Sequence, residues 1–123
     1  MLIYLASPYS YKSDNQEHRR MMEAARYHKV CDITGKLMKR GIPVFSSIVH
    51  CHPLAVMHDL PKTFEFWQEY DERMISACDE VWVARMPDWE KSKGIASEIQ
   101  YAKEKGIPVK YLDFPNFDTP VEA

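Results

Sequence analysis

Two carboxylates of this 123-residue chain occupy positions where a helix would otherwise present apolar side chains to the core. Asp71 lies four residues after Trp67 and four before Ile75, which places it on the packed face of a helix. Glu98 lies three residues after Ile95, at the edge of the apolar stripe of a later helix. Buried carboxylates are costly unless they have partners or a chemical role, so both are candidate catalytic groups. An exposed position at the margin of the stripe is the alternative for each.

Two segments offer hydroxyl and N–H groups that suit a phosphate or a sugar. Ser92 and Lys93 open the last predicted helix, where free backbone N–H groups favour an anion. The loop Ser7-Pro8-Tyr9-Ser10 follows the first predicted strand and adds hydroxyls. Neither segment matches the glycine patterns of P-loops or dinucleotide sites, so we expect no cofactor. A helix cap explains Ser92 about equally well.

Three histidines follow the second predicted strand, at His50, His52 and His58. They could ligate a metal ion, but no further histidine at helical spacing and no cysteine completes the set, so we expect no metal site. A substrate contact by one of them, with His50 as the candidate, is the second interpretation. A metal-dependent hydrolase that uses all three is kept as a further hypothesis.

Hydrophobic patterning predicts the elements that must position these residues. Apolar runs predict strands over 2–6, 42–46, 81–84 and 107–112, and helical spacing predicts helices over about 14–40, 62–78 and 93–105. The segment 47–61, which carries prolines and histidines, is predicted as a loop. The alternation predicts an α/β fold, a doubly wound, flavodoxin- or Rossmann-like parallel sheet of four to five strands with helices on both faces. Ligands of such sheets bind beyond the carboxyl ends of the strands.

Length and charge limit the classes of function. The chain suits one domain, 1–123, with a tail from about 113 that we expect to be loosely structured. Eighteen acidic and sixteen basic residues disfavour nucleic-acid binding, and the charged run 17–26 is predicted to be a solvated helix face. The apolar start is too short for a signal peptide or a membrane span. Three cysteines without a CxxC pair favour a reducing compartment, so we expect a cytoplasmic protein with no membrane partner.

Several short motifs occur along the chain in a characteristic order. They are Ile3-Tyr4-Leu5-Ala6-Ser7-Pro8, Tyr70-Asp71, Cys78-Asp79-Glu80-Val81-Trp82-Val83, Ser92-Lys93-Gly94-Ile95-Ala96-Ser97-Glu98 and Gly106-Ile107-Pro108-Val109. Together they resemble the nucleoside 2-deoxyribosyltransferase superfamily, from residue 1 to about 112. Small phage and bacterial members and the nucleoside 5′-monophosphate N-glycosidases are the most similar branches.

The resemblance implies an enzyme that breaks the N-glycosidic bond of a nucleoside or nucleotide. Glu98 would be the nucleophile that forms a glycosyl-enzyme intermediate, and Tyr4 would hydrogen-bond and orient it. Asp71 would hold the sugar or base and assist protonation of the leaving base. We expect the base to be contacted by the segment that carries His50 and by Trp89.

A serine six residues before the nucleophile bears on the substrate. The transferases carry an acidic residue there, whereas Ser92 is similar to the serine of the monophosphate glycosidases. The resemblance therefore favours hydrolysis of a (deoxy)nucleoside 5′-monophosphate, with Ser7 and Ser92 on the phosphate and Gly94 beside them. The first loop departs from the family pattern because it lacks the usual glycines.

Two other functions stay open at this point. One is base exchange by a nucleoside 2-deoxyribosyltransferase, and the other is a non-catalytic nucleotide-binding or sensor domain. Members of the superfamily close the pocket with a neighbouring subunit, so the resemblance also implies a homo-oligomer. Aromatic residues that could supply such contacts are Trp67, Tyr70, Trp89 and Tyr101.

Overall fold

Four short apolar runs form the sheet that the sequence predicts. In the computed structural model, which describes residues 1–122, they are β1 (Ile3–Ala6), β2 (Val44–Ser46), β3 (Glu80–Ala84) and β4 (Val109–Leu112). All neighbouring strands pair in parallel, in the order β2-β1-β3-β4. The predicted doubly wound α/β fold is confirmed, as an open sheet of four strands.

The helices connect these strands across both faces of the sheet. They are α1 (Gln16–Lys39), α2 (Ser47–His58), α3 (Phe64–Ser76) and α4 (Lys93–Glu104), and a short 3₁₀ turn (Trp89–Lys91) precedes α4. Asn15 caps α1 by accepting a hydrogen bond from the His18 N–H. No helix within residues 1–122 is long and apolar enough to cross a membrane.

The segment predicted as a loop is largely helix α2, and that prediction was wrong. The Ser46 side chain caps the helix by accepting from the Val49 N–H, and Pro53 lies inside it. A proline removes one helical hydrogen bond, so local propensity argues against this helix. Buried Cys51 and Ala55 stabilise it through tertiary packing, which outweighs the local preference.

The alternation of β1 divides the core between two faces of the sheet. Ile3 and Leu5 pack on one face with Val30, Ile33 and Leu37 of α1. Tyr4 and Ala6 pack on the other face with residues of α3 and α4, Ile75, Ile95 and Ala102 among them. Because successive side chains of a strand point to opposite faces, one short strand supplies both cores.

The tail after β4 contacts the rest of the fold at two points. Phe117 is only 2% exposed and packs in the core on the α1 face. Tyr111 and Val121 exchange backbone hydrogen bonds as an isolated antiparallel bridge. The tail shows little periodicity because a single buried aromatic side chain, rather than an amphipathic element, holds it against the sheet.

Candidate active site

A cavity of about 470 Å³ lies at the carboxyl end of β1, between α2, α3 and the start of α4. This is the edge at which parallel α/β sheets bind ligands. Six of the eight residues predicted for the site line its wall, namely Tyr4, Ser7, Asp71, Ser92, Gly94 and Glu98. The fold therefore brings together residues that are up to 94 positions apart in the chain.

Tyr4 and Glu98 form the centre of the site. Tyr4 is fully buried in β1, and its hydroxyl donates a hydrogen bond to Glu98 Oε2. Glu98 lies in the second turn of α4 and lines the cavity. Its carboxyl group contacts the Tyr4 hydroxyl. The tyrosine can hold one oxygen of this carboxyl group and leave the other for a ligand.

Asp71 approaches the same centre from α3, and a serine that sequence reasoning missed holds it. Ser47 Oγ donates to Asp71 Oδ1 at 2.6 Å, and Ser47 is itself buried. Ser47 is the first residue of α2, directly after the cap residue Ser46. The pair Ser46-Ser47 after a strand is a helix-start signal, so the sequence held the information although the segment was predicted as a loop.

Both carboxyl groups have raised pKa values. Burial raises the pKa of Glu98 to about 8; the charge of Asp71 adds to the rise, and the Tyr4 hydrogen bond opposes it. Burial also raises the pKa of Asp71 to about 6, and the hydroxyls of Ser47 and Tyr4 oppose that rise. Two neighbouring acids titrate as a pair, so at neutral pH the site holds one proton between two carboxyl groups. This arrangement can supply a carboxylate and a carboxylic acid at once.

The start of α4 and the β1–α1 loop (residues 7–15) form a polar end of the cavity. Ser92 Oγ accepts from the Ile95 N–H at 3.2 Å and keeps its own proton for donation. Ser7 Oγ is buried and has no hydrogen-bond partner within residues 1–122. A buried hydroxyl without a partner is unfavourable unless a ligand or water completes its bonding. Together with the first N–H groups of α4, these hydroxyls suit an anion.

His50 and Trp89, predicted as substrate contacts, lie outside the cavity wall. His50 is exposed and stacks on Tyr70 with ring centroids 6.4 Å apart. Trp89 packs against Tyr111 with centroids 5.8 Å apart. His52 lines the cavity instead, with Nδ1 2.5 Å from the Tyr9 hydroxyl. Residues two apart on a helix differ by about 200°, so once the segment is helical His50 and His52 face opposite ways.

The histidines that suggested a metal site contact different partners. Within residues 1–122, no three His, Cys, Asp or Glu side chains are grouped closely enough to hold a metal ion. His52 stacks on Tyr27 with centroids 4.2 Å apart, whereas His50 contacts Phe45 and Tyr70. The cluster that the sequence suggested is therefore divided between two faces of α2.

Comparison with known proteins identifies one family. A family model described as a domain of unknown function, DUF1937, matches residues 1–113, so the chain belongs to this family. No curated protein matches the chain. The matched range includes all four strands and the whole cavity wall, whereas Phe117 lies beyond it.

Proposed function

We propose that this member of the DUF1937 family hydrolyses the N-glycosidic bond of a (deoxy)nucleoside 5′-monophosphate through a covalent intermediate on Glu98. The observation that carries the proposal is the centre of the cavity, where Tyr4 hydrogen-bonds Glu98 beside Asp71. Two carboxyl groups with different environments are what glycosyl transfer through an oxocarbenium-like transition state requires. The family description states no activity, so the proposal depends on this geometry and on the sequence resemblance.

The proposed reaction has two steps. The Glu98 carboxylate attacks C1′, the bond from C1′ to the base nitrogen breaks, and the base leaves with the electron pair and takes a proton from Asp71. Water then attacks C1′, gives its proton to the Asp71 carboxylate, and releases Glu98 and the free sugar phosphate. Tyr4 orients the nucleophile in both steps.

This mechanism needs Glu98 ionised and Asp71 protonated, which is one of the two arrangements of a single proton on the pair. The higher pKa of Glu98 favours the other arrangement, so the reactive arrangement is the minor one of the two. With pKa values of about 6 and about 8, the pair of carboxyl groups holds one proton near neutral pH. We therefore expect kcat/KM to be bell-shaped, with limbs near these two values.

The polar end of the cavity supports a 5′-phosphate on the substrate. Ser7 Oγ lacks a partner, Ser92 Oγ retains a proton, and the first turn of α4 offers N–H groups. Lys93, next to Gly94, adds positive charge, although its Nζ lies 3.2 Å from Glu65 Oε1. A phosphate bound here would use a hydroxyl that otherwise stays unsatisfied.

The direct test is incubation of the purified protein with each common nucleoside and deoxynucleoside 5′-monophosphate. Chromatography would detect free base, with Glu98→Gln as the inactive control. Addition of a second free base separates the two chemistries, since exchange products would indicate a transferase. Release of no base from any of these substrates would contradict the proposed function.

A nucleotide-binding domain without turnover is the second candidate. The raised pKa of Glu98 favours it, because a carboxyl group that holds its proton at neutral pH serves as a hydrogen-bond donor. Titration calorimetry with the same monophosphates distinguishes the two. Binding by the wild type that Glu98→Gln retains, without release of base, would favour the binding domain.

We also propose that the protein is a cytoplasmic homo-oligomer. All three cysteines are free thiols, as a reducing compartment requires. Large apolar side chains of α2 and α3 are exposed, with Met57 75% and Phe66 49% exposed. Sedimentation velocity would measure the oligomeric state, and a monomer at micromolar concentration would contradict this part of the proposal.

A further inference from the structure

Helix α1 carries two charged residues that the proposed chemistry does not use. The run 17–26 was predicted to be a solvated face, but Glu23 is only 6% exposed. The side chain of Arg26, one turn later, is 12% exposed. Charged groups are seldom buried unless they are paired and hydrogen-bonded, so the partners of these two residues indicate their role.

Arg26 connects the two segments that carry the serines of the polar end. Its Nη1 donates to the carbonyl oxygens of Tyr9 at 3.3 Å and Ser10 at 2.7 Å, both in the β1–α1 loop that begins with Ser7. Its Nη2 lies 3.7 Å from Asp88 Oδ2, in the β3–α4 loop (residues 85–92) that ends with Ser92. One guanidinium group therefore holds both loops.

Glu23 makes a similar connection, between the β1–α1 loop and a third loop. It accepts from the Tyr11 N–H at 3.2 Å and from Lys62 Nζ at 3.3 Å. Lys62 lies in the α2–α3 loop (residues 59–63) and lines the cavity. Ser10 Oγ also donates to the Lys62 carbonyl at 3.1 Å, so these two loops are joined directly as well.

We propose that Glu23 and Arg26 are positioning residues that anchor the three loops around the cavity, and that Arg26 sets the placement of Ser7 relative to Ser92. Neither residue lines the cavity, so they act through the loops rather than on a ligand. The predicted effect on turnover rests on the proposed function, whereas the anchoring itself does not. The planar fork of arginine serves several acceptors in a fixed geometry, which lysine cannot reproduce although it keeps the charge.

Hydrogen exchange of the free protein tests the anchoring without a substrate. Arg26→Lys should speed exchange about tenfold in both 8–12 and 86–91, because both loops lose the same anchor. Glu23→Gln, which loses the charge that holds Lys62, should speed exchange in 8–12 and 60–63 but leave 86–91 unchanged. The matched controls are the exposed residues of the same helix, Arg20→Lys and Glu17→Gln, which should leave all three loops unchanged.

Two outcomes of that experiment would overturn the anchoring. One is an Arg26→Lys protein whose two loops exchange as in the wild type. The other is faster exchange spread evenly over the sheet and helices, which would indicate general destabilisation rather than release of two loops. Circular dichroism of each variant establishes that the compared proteins are folded.

Kinetics tests the consequence for the substrate. In Arg26→Lys, KM for the monophosphate should rise about tenfold with kcat nearly unchanged, because misplaced serines weaken phosphate binding. KM for the matching nucleoside without phosphate should not change. Wild-type kinetics in Arg26→Lys, with a raised KM in Arg26→Gln, would show that charge alone matters and would overturn the positioning role. If the wild type releases no base at all, the proposed function fails and hydrogen exchange alone decides the anchoring.

Discussion

Neighbouring residues of β1 are buried on opposite faces of the sheet, one face apolar and the other with buried carboxyl groups. On the α1 face, Ile3 and Leu5 contact apolar side chains, with Phe117 of the tail among them. On the opposite face, Tyr4 lies in an apolar cluster too, but its hydroxyl reaches Glu98, and Asp71 lies beside them. A difference of one position along β1 thus separates a packed core from a candidate active site.

Burial has opposite consequences for stability on the two faces. On the α1 face it removes apolar surface from water and stabilises the fold. On the other face it also removes carboxyl groups from water, which raises their pKa values and opposes folding at high pH. We therefore expect changes on the first face to lower stability, and changes in the cavity to alter activity and the dependence of stability on pH.

Replacement of Glu98 by glutamine should have the largest effect. Loss of the nucleophile should reduce base release by about 10³-fold or more. The fold should gain stability, because wild-type Glu98 keeps its proton up to about pH 8 when folded and loses it near 4.5 when unfolded. The wild-type free energy of unfolding therefore falls as pH rises between these values, and this contribution is absent from the variant.

Urea unfolding at pH 5, 7 and 9, together with the base-release assay, would measure both effects. Glu104→Gln, on the exposed end of the same helix, is the matched control. A Glu98→Gln protein that is less stable than the wild type at pH 9 would contradict the sign of this argument.

Replacement of Phe117 by alanine should be the largest change in stability on the α1 face. Removal of a buried phenyl group should cost about 3 to 5 kcal/mol in the free energy of unfolding. Phe114→Ala is a matched control, because Phe114 is 76% exposed and only three residues away. Chemical denaturation measures the loss, and kcat of the folded fraction should be unchanged. Equal destabilisation by the two substitutions would contradict the packing of the tail.

Replacement of Ser47 by alanine should have an intermediate effect within the cavity. Asp71 would lose the hydroxyl that favours its ionised form, so its pKa should rise above about 6 and the acid limb of the pH–rate profile should move upward. The rate should also fall about tenfold, because the Ser47 hydroxyl would no longer stabilise the carboxylate that forms on Asp71 when it gives its proton to the leaving base. The exposed Ser76→Ala variant serves as the control, and an unshifted acid limb would argue against this role for Ser47.

Replacement of Ser7 by alanine should have the smallest effect and the most selective one. Its hydroxyl has no partner within residues 1–122, so its removal should leave the free energy of unfolding unchanged or slightly higher. KM for a monophosphate should rise about fivefold through the loss of one hydrogen bond, and KM for the nucleoside should stay the same. Thermal unfolding and substrate kinetics would measure these quantities. An equal change in KM for both substrates would mean that Ser7 does not contact the phosphate.

The local sequence was sufficient for the strands, for α1, α3 and α4, and for the two unusual carboxylates. Apolar periodicity reports burial of a face directly, and an acid within such a face is visible without a structure. Ser7 and Ser92 followed from their places after a strand and at a helix start, whereas the role of Tyr4 followed from the resemblance alone. The same reasoning failed for α2, because proline and histidine are poor local indicators of a helix that packing stabilises.

The alternation of strands and helices follows from the amino-acid sequence alone, and it locates the sheet edge where a site can form. Which side chains meet at that edge depends on how the elements pack in three dimensions. Ser47 contacts Asp71, which lies 24 residues later in the chain. Arg26 joins two loops. Phe117 packs in the same cluster as Ile3, at the other end of the chain. Periodicity describes which face of an element is buried, but a contact between elements depends on their relative placement, which no local pattern encodes.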